Sequence, residues 1–144
     1  MSQRESPDQT ADALASAVFR KTLSETDLIL FAGLSGDLHP VHIDEGSDAA
    51  REAGGRTIHA VFLIGLMSTA VSRLMQRRGL RTRVSGLRAL RFHAAARPGD
   101  TVQAAARIAG SGHPGRDGLL EVEISATTDS GTLLAVGVAE IELS

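Results

Sequence analysis

An α+β fold, an antiparallel sheet wrapped around one long helix, is what this 144-residue sequence predicts. Three observations carry it. A single long apolar run, Ala60 to Met75, has the length of a buried helix. After Gly79 the apolar residues recur at every second position, the period of strands with one buried face. Short turn sequences, not helices, separate those alternating segments, so the strands run antiparallel.

Residues 1–15 are polar, lack the apolar core of a signal peptide, and are expected to be flexible, with one domain over 16–144. Ser24 followed by Asp27 reads as a relative of the capping box at a helix start. Leu28, Phe31 and Ala32 then share a helical face, and Gly33 or Gly36 can end that helix. A short helix is expected from Ser47 to Ala53, stopped by Gly54 and Gly55. The long helix is expected over His59 to Arg78, apolar nearly all round until Arg73 and so surrounded by protein. Its end is basic, with Arg73, Arg77 and Arg78 complementing the helix dipole. Leu90 and Phe92 mark the next strand, whose alternation slips near Leu87 as at a bulge. Val102 to Ile108, Leu120 to Ala126 and Leu133 to Leu143 give three more. Turns fall at Arg97–Asp100, Gly110–Gly118 and Asp129–Gly131, and consecutive strands are expected to form a meander. A curved sheet around such a helix is the hot-dog arrangement. Its open edges call for a second copy, hence an expected homodimer or a larger assembly of dimers.

Composition narrows the function. The formal net charge is −2 and the four Phe are the only aromatics, so neither a basic field nor a base-stacking platform is present, and no nucleic-acid partner is expected. The apolar run contains Ser68, Thr69, Ser72 and Arg73 and falls short of the roughly 20 residues that cross a bilayer, so no membrane is expected. Without Cys there is no thiolate nucleophile, which fits a reducing, cytoplasmic setting.

The chemistry concentrates in "SGDLHPVHID", Ser35 to Asp44. Asp37 and His42 sit in an irregular segment stiffened by Pro40, which pushes His39 towards an extended backbone. Such a pair can hold a water for acid–base chemistry. His39, His42 and an Asp could also ligate a metal, although Pro40 removes the helical spacing of zinc proteases. The bland alternative is a turn with ordinary loop histidines, and Asp44 reads as structural. Further on, Gly54 and Gly55 permit close approach and lead to His59 and Ala60 at the helix start, where free N–H groups favour negative charge. Ser68 on the helix reads by itself as a buried serine bonded back to a carbonyl.

"GDLHPVH", the downstream "IHA" and the later "LRFHAAARPGD" together resemble the MaoC-like family of (R)-specific enoyl-CoA hydratases, over about Phe19 to Leu143. The resemblance implies a hot-dog enzyme that reversibly hydrates trans-2-enoyl-CoA, with CoA or acyl carrier protein as carrier, no metal and no cofactor. It implies Asp37 and His42 as the catalytic pair, Ser68 as their support, the Ala60 N–H with His59 at the thioester oxygen, and His39 and Pro40 as loop support. Two positions depart from the family pattern: His39 stands for the usual Asn and Ala60 for the usual Gly. The alternatives are a thioesterase on the same fold and a non-catalytic acyl-thioester-binding subunit. Arg56, Arg88 and Arg91 are available for CoA phosphates, though a solvated face is the plainer reading of each.

Overall fold

The structure, a computed structural model, describes residues 14–111 and 118–144. Its strands are β1 (Ser16–Thr22), β2 (Thr82–Phe92), β3 (Thr101–Ser111), β4 (Leu119–Thr128) and β5 (Leu133–Leu143). Its helices are α1 (Glu25–Ser35), α2 (Pro40–Ile43), α3 (Asp48–Glu52) and α4 (Phe62–Arg77). The strands form one antiparallel sheet in the order β1-β3-β4-β5-β2. This is the hot-dog arrangement.

The period-two pattern explains the packing. Val102, Ala104 and Ala106 of β3 and Leu120, Val122, Ile124 and Ala126 of β4 turn inward. They meet Leu63, Leu66, Met67, Ala70, Val71, Leu74 and Met75 of α4 in one apolar cluster. Among the described residues no helix is long and apolar enough to cross a membrane.

Four expectations need correction or limits. Strand β1 was not foreseen: it is short, and only Ala17 of its residues is buried, so its alternation carries little signal. The meander holds for β3, β4 and β5 alone, because β2 pairs with β5 and β1 with β3. Helix α4 begins at Phe62, preceded by a tight turn in which Phe62 N–H and Leu63 N–H donate to the His59 and Ala60 carbonyls at 2.9 and 3.1 Å. Nor is α4 surrounded: Val61, Gly65, Ser68 and Ser72 lie on an exposed face, since one chain's sheet covers one side.

Residues 1–13, where flexibility was expected, and 112–117, within the Gly110–Gly118 turn, lie outside the described residues. Leu14 is held, its carbonyl accepting from Arg78 Nη1 at 2.6 Å. The slip in β2 is real: register shifts fall between Val84 and Gly86 and between Arg88 and Arg91. Ala89 sits in the second bulge at φ 51°. Gly137 opposite leaves room for it, since a Cβ there would stand 3.0 Å from Leu90 Cδ1 and 3.3 Å from Leu90 Cα.

Candidate active site

Three segments build the site. The first is the loop from α1 to α2. Ser24 caps α1 with the reciprocal bonds of a capping box, and Gly36 ends it in the left-handed conformation at φ 78°. Asp37 Oδ1 then accepts from His39 N–H at 3.2 Å, closing a local turn. His39 is extended, at ψ 136°, as Pro40 demands. Its Nδ1 accepts from Val41 N–H at 3.2 Å, so His39 is the N-cap of α2. An Asn side chain would cap that turn in the same way. The His at this position therefore preserves the brace.

The second segment is the strap from Ala53 to His59. Its left-handed Gly54 and Gly55, at φ 77° and 123°, turn the chain out of α3. Thr57 N–H donates to the Val41 carbonyl at 3.0 Å, tying strap to loop, and Ile58 N–H donates to the Ala96 carbonyl at 2.8 Å. The third segment, Ala94 to Ala96, supplies the opposite wall. Salt bridges tighten the frame: Arg56 reaches Glu45 at 2.8 Å and Glu25 at 2.6 Å. The hydrogen bond from Arg56 holds the Glu45 carboxyl below the usual carboxylate range.

The hydrogen bonds fix both imidazoles. His42 Nδ1 lies 2.7 Å from the Thr57 carbonyl oxygen, which can only accept, so Nδ1 carries the proton. Neutral His42 then presents a lone pair at Nε2, 3.8 Å from Asp37 Oδ2. His59 is the mirror case. Its Nε2 donates to the Asp37 carbonyl oxygen at 2.9 Å, and its Nδ1 is buried without a partner among the described residues. The two rings stack at 3.8 Å and 21°, and Phe31 packs against His59 at 4.9 Å. Asp37 is half exposed while His59 is 2% exposed, so the carboxylate meets solvent and the imidazole behind it does not.

These groups share a cavity of about 370 Å³ with Ile58, Ala60, Val61 and Leu63. Ala60 and Val61 precede α4, and while the N–H groups of Phe62, Leu63 and Ile64 donate to the His59, Ala60 and Val61 carbonyls, those of Ala60 and Val61 make no backbone hydrogen bond among the described residues. Asp37, His42 and His59 also bring three ligand atoms within 4.8 Å of one another. The stacking argues against one shared ion. An imidazole binds a metal in its own ring plane at about 2.0–2.1 Å, and two nearly parallel planes have no common point that close.

The cavity unites Asp37, His42, His59 and Ala60, flanked by His39 and Pro40. It does not include Ser68, which is exposed and lines a separate cavity of about 140 Å³ with Ile64, Val71, Val84, Leu87, Ile124 and Ala139. Ser68 stands about 12 Å along the helix from Ala60 and touches neither Asp37 nor His42 within one chain. Arg88 is committed to Glu121 and to Glu140, the latter at 3.4 Å, as Arg56 is to its two carboxylates. Arg91 remains exposed, donating to the neighbouring Leu90 carbonyl. Thr57 was missed, because its part is played by a backbone carbonyl that leaves no mark in the sequence.

The MaoC-like domain model matches residues 7–130. An (R)-specific enoyl-CoA hydratase of Rhodospirillum rubrum is 34% identical over 95 residues, which are 66% of this chain and 64% of that protein. Protein MaoC of Klebsiella aerogenes is 38% identical over 86 residues, 58% of this chain but 24% of that protein. The chain thus matches less than two thirds of the length of either relative. The R-hydratase PhaJ1 from Pseudomonas aeruginosa superposes with a TM-score of 0.76 at 26% identity, covering 89% of this chain and 79% of that one. On the family match, which spans most of the sequence and both halves of the site, the chain belongs to the MaoC-like domain family.

Proposed function

We propose that the chain reversibly hydrates trans-2-enoyl-CoA to (R)-3-hydroxyacyl-CoA, as the names of its hydratase relatives suggest. The carrying observation is the gap between Asp37 Oδ2 and His42 Nε2, 3.8 Å across. It suits one water donating a hydrogen bond of about 2.8 Å to each group. Both acceptors then draw on the water's protons, and its lone pairs are left for carbon.

The step balances without a co-reactant. Asp37 takes one proton as the water oxygen bonds to C3. The C2–C3 π electrons move to the thioester oxygen as an enolate. The Ala60 N–H stabilises that oxygen, with His59 fixing the turn that presents it. The proton returns from the Asp37–His42 pair to C2 as the carbonyl reforms. CoA, or acyl carrier protein in its place, is carried on the substrate, and no metal or cofactor enters this scheme. The exposed face of α4 and the edge strand β2, with Val84 and Leu87 exposed, favour a homodimer, which would bring further side chains towards Ser68. A cytoplasmic setting accords with the absence of Cys.

Asp37→Asn and His42→Ala should each lower crotonyl-CoA hydration by at least about 100-fold, with thermal stability close to that of the wild type. Hydration retained in either variant would sink the assignment. Ser68→Ala reads whether that hydroxyl reaches the reaction in the assembled protein. Release of free CoA, followed with a thiol reagent, would point to a thioesterase instead.

A further inference from the structure

We propose that Arg97 is a positioning residue, whose guanidinium clamps the Ala53–Arg56 turn and thereby holds the Thr57 carbonyl that fixes His42. The claim rests on the hydratase reading only for its kinetic consequence.

Arg97 Nη1 donates to the Gly55 carbonyl at 2.6 Å and to the Arg56 carbonyl at 3.3 Å, and Nη2 donates to the Ala53 carbonyl. Its own N–H is fixed by Asp100 Oδ2 at 2.8 Å, within the turn that Gly99 closes. Ala96, one residue before, is buried and accepts the Ile58 N–H. One residue thus bonds three carbonyls of the strap and adjoins the wall that holds its next segment.

The strap needs such a clamp. It leaves α3 through two glycines with positive φ, the most permissive backbone in the chain's vocabulary. Of the three carbonyls, that of Ala53 is at the C-cap of α3, where a basic side chain is a usual partner, and those of Gly55 and Arg56 follow it in the strap. The guanidinium reaches them from two nitrogens held in one rigid plane, a spread that the single nitrogen of a lysine does not have. A Cβ at Gly55 would stand 3.3 Å from Arg97 Nη1, so the glycine also makes room for the clamp. Without it, the carbonyls of Ala53, Gly55 and Arg56 are released, and the Thr57–Ile58 peptide, whose carbonyl meets His42 Nδ1, is placed only by the Thr57 N–H bond to Val41 and the Ile58 N–H bond to Ala96, so the Thr57 carbonyl holds His42 Nδ1 less firmly. The lone pair at Nε2 then loses its direction towards the gap beside Asp37.

The test uses the full chain, ¹⁵N-labelled. The wild type should show a slowly exchanging His42 Nδ1–H in the Nδ1-protonated tautomer, identified by its loss in His42→Ala. Arg97→Met should lose or broaden that resonance. It should also lower kcat for crotonyl-CoA hydration on the order of 100-fold, with KM changed less than about threefold. Arg97→Lys should fall between, and Arg20→Met, on an exposed arginine of β1 paired with Asp129, should match the wild type. A folded Arg97→Met with the His42 resonance and kcat unchanged overturns the proposal. Should Arg97→Met not fold, Arg97→Lys decides it by the same two readings. If the wild type shows the resonance and Arg97→Met loses it while neither hydrates any enoyl-CoA, the positioning role stands and the hydratase reading fails.

Discussion

The substitution His39→Ala, set beside His39→Asn, separates a capping histidine from a chemical one. His39 Nδ1 accepts the Val41 N–H at 3.2 Å, at the start of the four-residue helix that carries His42. Removing an N-cap costs typically about 1 kcal/mol, and an exposed cap on a one-turn helix belongs at the low end, about 0.5–1 kcal/mol. An unfolding entropy of about 2.1 cal/mol/K per residue gives about 0.3 kcal/mol/K for a chain of this length. His39→Ala should therefore lower Tm by roughly 2–3 °C. It should also lower hydration of crotonyl-CoA more than so small a stability loss explains, because the turn it frees carries His42. His39→Asn keeps an acceptor at the same place and should restore both Tm and rate to within about twofold of wild type. The assays are thermal unfolding by circular dichroism and initial rates at saturating substrate. If His39→Asn keeps Tm but loses most of the rate, the imidazole itself enters the chemistry and the capping argument is wrong.

Two further predictions concern the frame. Gly137→Ala places a methyl 3.0 Å from Leu90 Cδ1 and 3.3 Å from its Cα, against the bulge that carries Ala89, so it should destabilise by about 1–3 kcal/mol; a Tm unchanged within error would show that the bulge gives way freely. Asp27 responds to acid: burial pushes its carboxyl up, but the Ser24 hydrogen bonds and Lys21 outweigh this and hold it below its ordinary value. A carboxyl lowered on folding stabilises fully above its unfolded pKa, and that contribution fades as pH falls through the folded one. Asp27→Asn should therefore lose less Tm than wild type between about pH 5 and pH 2, whereas parallel Tm curves would contradict the assigned partners.

The sequence made the larger pattern legible because side chains encode it. Alternation at Leu120 to Ala126 located β4, and its inward residues are the buried ones. Ser24 with Asp27 located the start of α1 through a real capping box. "GDLHPVH" located Asp37 and His42, and the structure sets their polar atoms 3.8 Å apart. Legibility failed where one chain is insufficient or where pairing is set by register. The exposed face of α4, with Val61, Gly65, Ser68 and Ser72, passes for a buried one because small residues in an apolar run do not state which molecule covers them. Strand β1 pairs with β3 across some 85 residues of sequence, and its seven residues alone cannot announce that partner.

The site itself was half legible for a more specific reason. Its two histidines are set by backbone carbonyls, and carbonyls are the same in every residue. His42 is fixed by Thr57, on the strap, and His59 by Asp37, on the loop. Each segment therefore fixes the imidazole of the other. The two rings end stacked but in opposite tautomers: both Nε2 atoms lie beside the Asp37 carboxylate, at 3.8 Å for His42 and 3.9 Å for His59, but only that of His42 offers a lone pair there. His59, with its Nε2–H committed, serves as the plate behind it. Neither segment can move without releasing a ring on the other, which makes the brace at His39 and the clamp at Arg97 two ends of one restraint. A motif search finds the rings; the direction of their lone pairs follows from which carbonyl each one meets.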